Sequence, residues 1–186
     1  MEMTSNPTQR NAPPACVIRP ARAEDVAEIA RVHVDTWRST YVGIVPDDFL
    51  TQLSYERREA MWGSVIARPD PRDHLFVADL YGRVIGFTSG GPLRESADPD
   101  AGEIFAIYLR REFHGRGICA QMFRASVSAL RRDGFRSLRL WALEENPTCG
   151  FYRDMGGKVC GEKTETIGGR ALKELFFEWS PLPTLG

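Results

Sequence analysis

Apolar positions recur along this chain with two periods, and the switches between them mark its elements. From about Glu24, Val26, Ile29, Ala30, His33 and Trp37 share one face at helical spacing, with Glu24 and Asp25 in the first turn where a helix dipole favours negative charge. That helix is expected to end near Tyr41, with Gly43 and Pro46 in the turn after it. Residues 47–53 read as a second short helix and Ser54 as the cap of a third, running to about Ile66 before Pro69 and Pro71. A short strand over 16–19 precedes them, closed by Pro20. Strands over 74–80 and 83–89 follow, joined at Tyr81-Gly82 in a hairpin.

After a Pro/Asp/Ser loop at 91–102 comes the stretch that organises the chain, GEIFAIYLRREFHGRGICAQMFRASVSAL, residues 102–130. Its first part is β-branched, aromatic and apolar, as a buried strand is. From Ile118, the positions Cys119, Met122, Phe123, Val127 and Leu130 return to helical spacing, and Arg131, Arg132 and Gly134 suit the end of that helix. Another strand is expected over 137–142. Asn146-Pro147 opens a short helix to about Met155, with Pro147 in its first position, and Gly156-Gly157 breaks it. The last strands lie over 158–163 and 172–179, where Leu175, Phe177 and Trp179 alternate with more exposed positions. The order β-α-α-α-β-β-β-α-β-α-β-β predicts an α/β (α+β) fold, a mixed sheet with helices on its faces. One domain over 16–180 is expected, between a flexible tail at 1–15 and a C-terminal tail at 181–186.

Composition narrows the class. With 186 residues, 42% apolar and 26% charged, the chain is expected to be globular. A formal net charge of −1 argues against nucleic acid or an anionic membrane as partner. The N-terminal stretch lacks the apolar core of a secretory signal, and Cys16, Cys119, Cys149 and Cys160 have no C-x-x-C spacing. A cytoplasmic protein with reduced thiols is the expectation. No spacing links His33 and His74 to other metal ligands, so no metal is expected.

Candidate chemistry starts at Phe113-His114-Gly115-Arg116-Gly117-Ile118-Cys119. Glycines at a helix start let backbone N–H groups close on an anion, so a phosphate-bearing ligand is expected there. The run from Gly115 to Ala120 also fits G-x-G-x-x-G/A. In a dinucleotide fold, however, the strand runs directly into the first glycine, and an acidic residue follows about twenty positions on. Here residues 110–114 intervene, Glu144 lies too far on, and Asp133 falls in the end of the expected helix. Without Gly-Lys-Ser/Thr the nucleoside triphosphate loop fails as well.

Ile107-Tyr108-Leu109 followed by Phe113-His114-Gly115-Arg116-Gly117-Ile118 resembles the acetyl-CoA signature of the GNAT acetyltransferases. Asn146, Cys149, Phe151-Tyr152 and Met155-Gly156 resemble the second motif of that family, and the element order matches from about Val17 to Trp179. His114 stands where Gln or Arg is usual, Arg111 where Pro is common, Cys119 where Gly or Ala is usual, and Gly157 where Phe is usual, a change expected to loosen the following turn.

The resemblance implies a mostly antiparallel sheet with splayed middle strands. It implies acetyl-CoA as co-substrate, with Ile107, Tyr108 and Leu109 pairing with the pantetheine arm. His114, Gly115, Arg116, Gly117, Ile118, Cys119 and Ala120 would meet the pyrophosphate, and Asn146 and Tyr152 would also meet the cofactor. It implies Glu103 as base, its carboxyl buried beside Ile104 and Phe105, and Tyr152 as acid, its ordinary pKa near 10 suiting a departing thiolate. Arg38 and Tyr41 are the implied acceptor contacts, while Trp37 completes a core face. The acceptor implied is a small-molecule amine; a protein N-terminus or lysine, and an acyl-CoA-binding module without catalysis, are the alternatives. A homodimer is common in the family. A thiol in the first helical turn is expected to be acidified, making Cys119 reactive.

Overall fold

A computed structural model describes residues 16–94 and 98–184. The expected N-terminal tail and part of the 91–102 loop lie outside the described residues. Seven strands form one sheet in the order β1-β2-β3-β4-β5-β7-β6: β1 Val17–Pro20, β2 His74–Leu80, β3 Arg83–Pro92, β4 Ala101–Leu109, β5 Ser137–Leu143, β6 Lys158–Ile167 and β7 Arg170–Trp179. Every neighbouring pair is antiparallel except β4 with β5. Five α-helices accompany it: α1 Val26–Thr40, α2 Asp47–Thr51, α3 Tyr55–Ala67, α4 Ile118–Arg132 and α5 Cys149–Asp154.

Local chemistry explains most boundaries. Ser54 caps α3, its hydroxyl accepting the Arg57 N–H at 3.1 Å. Tyr81 and Gly82 both have positive φ, which makes the two-residue turn that suits the twist of a β2–β3 hairpin. At the end of α4, the Phe135 N–H bonds the Leu130 carbonyl across Gly134, closing the helix while Phe135 packs inward. Glu24 and Asp25 fall in a 3-10 turn, Ala23–Asp25, so α1 starts two residues later than its acidic turn suggested. Asp25 is held there by Arg19, which approaches to 2.7 Å and keeps its carboxyl below the usual range.

Two cores sandwich the sheet. On one side α4 and α5 bury Phe123, Val127, Leu130, Phe177 and Trp179. On the other, α1 and α3 bury Ile29, Val32 and Trp62 against Val77 and Phe87. Burying one such side chain stabilises the fold by about 1.5–3 kcal/mol, so these faces hold the sheet in place. Leu182, placed by the sequence in a C-terminal tail, is buried in the α4 core, and its N–H donates to the Arg136 carbonyl at 2.8 Å. No helix among the described residues is long and apolar enough to cross a membrane.

Candidate active site

β4 and β5 pair at only three positions, Ala101↔Ser137, Gly102↔Leu138 and Glu103↔Arg139, and then separate. The edge of β4 over residues 104–109 that faces β5 therefore has no strand partner, while β3 continues to pair on its other edge. Ser89 faces Ala106 and Gly90 faces Ile104, which leaves Phe105 as an extra residue in β4. Such a bulge re-aims side chains, and Phe105 borders the cavities on both sides of the gap.

The first cavity, of about 440 Å³, opens where the strands part. Of the twelve residues the sequence assigned to cofactor contact, all but Arg116 line it. Gly115 and Gly117 have φ of +73° and +75°, a conformation that costs other L-residues energy, and no neighbouring atom would crowd a side chain there. Backbone shape, rather than close packing, calls for glycine at both. Gly117 directly precedes α4, whose first N–H groups have no helical partner. The His114 ring donates from Nε2 to the Leu109 carbonyl at 3.0 Å, which ties the loop to the strand end. Arg116 turns back instead, donating to the Glu112 carbonyl at 3.1 Å and lying over the Phe113 ring.

Four further expectations need correction. Cys119 was expected to be acidified by the helix start, but burial pushes its thiol up to about 12. The dipole acts within one turn, whereas desolvation acts on the whole thiolate charge. Tyr152 is buried too, and its phenol is pushed well above the range that would match a thiolate. Pro147 does not begin α5, which starts at Cys149. Asn146 folds the chain before it, its Oδ1 accepting from the Thr148 N–H at 2.9 Å and the Thr148 hydroxyl at 2.7 Å. Gly157 does not loosen its turn: a side chain there would come within 2.5 Å of the Trp179 ring, and the Trp179 indole bonds the Met155 carbonyl at 2.8 Å.

A second chamber, of about 250 Å³, lies across the gap and shares Tyr41, Ile104, Phe105, Tyr108, Trp141 and Ala142 with the first. Glu103, only 4% exposed, lines it. The apolar surroundings expected for this carboxylate are replaced by an arginine. Arg94 donates from Nη2 to Oε1 at 3.0 Å and from its backbone N–H to Oε2 at 3.1 Å, and its guanidinium sits 3.9 Å from the Phe105 ring centre. Opposite, Lys163 stands 3.7 Å from Glu174 and 4.3 Å from the centre of the Trp141 ring.

Tyr41 sits at the junction of the two cavities. Its hydroxyl accepts the Asn146 amide at 3.1 Å, and burial keeps the phenol protonated. Arg38 lines neither cavity. Its guanidinium donates instead to the carbonyls of Leu50, Thr51 and Leu53, at the end of α2 and in the turn after it. Trp37 packs as expected and also donates its indole N–H to the Tyr108 hydroxyl at 3.0 Å.

Trp37, Arg94, Phe105 and Tyr108 also border an adjoining cavity, an annex of about 760 Å³ beside α1 and α3. His33 borders it, its Nδ1 accepting the Trp62 indole N–H at 3.2 Å, and burial lowers its pKa to about 3. His74 bonds Asp133 at 2.7 Å. No group of three His, Cys, Asp or Glu side chains that could hold a metal occurs among the described residues. Arg94, Trp141, Lys163 and Glu174 went unread in the sequence. They come from separate elements, and Lys163 meets Glu174 only through the register of the β6–β7 hairpin.

The family model for the acetyltransferase (GNAT) family matches residues 29–156. The chain is 37% identical over 169 residues to YuaI, an uncharacterized N-acetyltransferase of Bacillus subtilis (strain 168), covering 90% of this chain and 95% of that protein. In structure it is similar to the PaiA N-acetyltransferase of Thermoplasma acidophilum in complex with coenzyme A, with TM-score 0.72 and 20% identity over 89% of this chain and 99% of that one. It is also similar to YncA of Salmonella typhimurium, solved with acetyl-CoA, with TM-score 0.70 and 17% identity over 93% and 97% of the two chains. The strand gap, the glycine-led helix and a family match across most of the chain agree: this protein belongs to the acetyltransferase (GNAT) family.

Proposed function

We propose that the protein transfers an acetyl group from acetyl-CoA to the primary amine of a small molecule, by direct attack on the thioester. One observation carries this reading: two cavities meet across the β4–β5 gap at Ile104, Phe105 and Tyr108. A thioester held along β4 from one side is then open to an amine arriving from the other.

The first cavity fits acetyl-CoA. The unpaired edge of β4 at Ile107, Tyr108 and Leu109 offers main-chain bonds to the amides of the pantetheine arm, as an added strand would. The N–H groups from Gly115 to Ala120, with His114 fixing the loop, suit the pyrophosphate. Asn146 borders the same space. Arg116 stays at its edge as a solvated cation within reach of phosphate.

Bound acetyl-CoA supplies the electrophilic carbonyl and a thiolate leaving group. Glu103 takes a proton from the incoming ammonium, directly or through water, because an alkylamine is protonated at neutral pH. The amine nitrogen then bonds the carbonyl carbon as the C–S bond breaks. Tyr152 keeps its proton at neutral pH and offers its O–H to the departing sulfur as a hydrogen-bond donor. The second proton of the attacking nitrogen passes to that sulfur, directly or relayed through Tyr152, so that the products are the amide and the free thiol of CoA. Tyr41, held by Asn146, borders the junction between the chambers, where it can meet the acceptor.

Thiol release from acetyl-CoA, followed across a panel of small amines and peptides, tests the reading. Glu103→Gln and Tyr152→Phe are each expected to lower turnover at least about tenfold. Unchanged rates would remove those two roles. Transfer to peptides alone would move the acceptor to protein, and acetyl-CoA binding without transfer would mark a binding module.

A further inference from the structure

We propose that the acceptor is an amino acid, an amine carrying its own carboxylate, and that Arg94 receives that carboxylate. The inference rests on the small-molecule reading above. Among the described residues, four charged side chains line the acceptor chamber, Arg94 and Lys163 with Glu103 and Glu174, and each cation has a carboxylate beside it, at 3.0 Å and 3.7 Å respectively. A polyamine entering this space needs carboxylates in excess of cations. A simple amine brings one uncompensated charge. A zwitterion brings one charge of each sign, so the existing pairs can exchange partners and leave none buried alone.

Arg94 is placed for the exchange. Its side chain is 61% exposed and lies where the chamber meets the annex. Nε and Nη2 are used on Glu103, while Nη1 has no hydrogen-bond partner among the described residues. The planar face rests on Phe105 and the remaining N–H groups point along one edge, a geometry suited to the two oxygens of a carboxylate. Once that carboxylate draws Arg94 toward itself, Glu103 faces the ammonium whose proton it must take. The substrate's own anion thus completes the base. The rest of the acceptor has room in the annex, where Met61, Trp62, Val65 and Ile66 favour an apolar side chain.

The test compares thiol release with leucine, methionine and phenylalanine against the decarboxylated amine of each, with spermidine alongside. At least one amino acid is expected to exceed its decarboxylated partner at least about tenfold in kcat/KM, as loss of a charged hydrogen bond does. Arg94→Gln is expected to bring that ratio near one and Arg94→Lys to restore part of it, with thermal midpoints confirming that both variants fold. A decarboxylated amine or spermidine used as well as the amino acids overturns the inference and leaves acetyl transfer to small amines standing. A ratio unchanged in Arg94→Gln removes Arg94 from it. No release with any amine overturns both readings together.

Discussion

The two cavities that meet at β4 recognise their contents in different ways. The first is built mainly from main chain: an unpaired strand edge, two glycines with positive φ and the start of a long helix. The second is built from side chains, with two ion pairs and several aromatic rings brought in from a loop, the end of α1, strands β4 and β5 and a hairpin. Backbone groups present the same N–H and C=O whatever the residue, so a main-chain site fits a constant ligand. Side chains exchange singly, so a side-chain site suits a ligand that differs between relatives. The division explains how a chain can keep a cofactor and change its acceptor.

The largest expected effect attacks the main-chain site. Gly117→Val forces a β-branched residue to a positive φ, which costs about 1–3 kcal/mol of strain wherever the loop must hold its shape. Calorimetry is expected to show acetyl-CoA affinity falling at least about tenfold while the order of preference among acceptors stays the same. A changed order would mean that the two sites are not separate.

The next concerns His33, in the wall of the annex beside α1 and α3. His33 has its folded pKa below the ordinary value of 6.5, so the unfolded chain binds more protons as pH drops from 6.5 toward about 3. Its contribution to stability is complete above pH 6.5 and is lost through that window on acidification. Between pH 7.5 and 5 it accounts for about 2 kcal/mol, and His33→Gln is expected to flatten the fall in thermal midpoint by that share. Equal pH dependence in the two proteins would sink this account.

A smaller effect sharpens the junction. Asn146→Ala removes the amide that holds Tyr41 and the oxygen that folds residues 146–148, and is expected to cost about 1–2 kcal/mol in stability. Because Asn146 borders the first cavity and Tyr41 borders both, KM for cofactor and for acceptor should rise together. A rise in one alone would place the residue in one site only. The smallest expected effect is a null result at Cys119. With its thiol buried and raised, maleimide labelling at neutral pH is expected at exposed Cys160 first, with or without CoA. Rapid labelling of Cys119 blocked by CoA would restore the acidified thiol.

The fold was largely legible in the sequence because its signals are local. Helical and strand periods, the Tyr81-Gly82 turn, the Ser54 cap and Gly134 each depend on neighbours a few residues away. The main-chain cavity was legible for the same reason: glycines spaced ahead of a helix state their purpose in one short stretch. Where local reading erred, a distant contact outweighed a local rule. Desolvation overcame the helix dipole at Cys119, Trp179 tightened the turn at Gly157, and the carbonyls near the end of α2 captured Arg38.

What the sequence by itself determined is the order of elements, the glycine-led helix and part of the lining of the first cavity. Only the tertiary structure decided that β4 and β5 part after Glu103, that Phe105 bulges between the chambers, and that Arg94 closes on Glu103 while Lys163 meets Glu174. Those pairings depend on strand register and on which loop lies over which strand. Both are set by the burial of entire faces, and no short stretch of the chain records them.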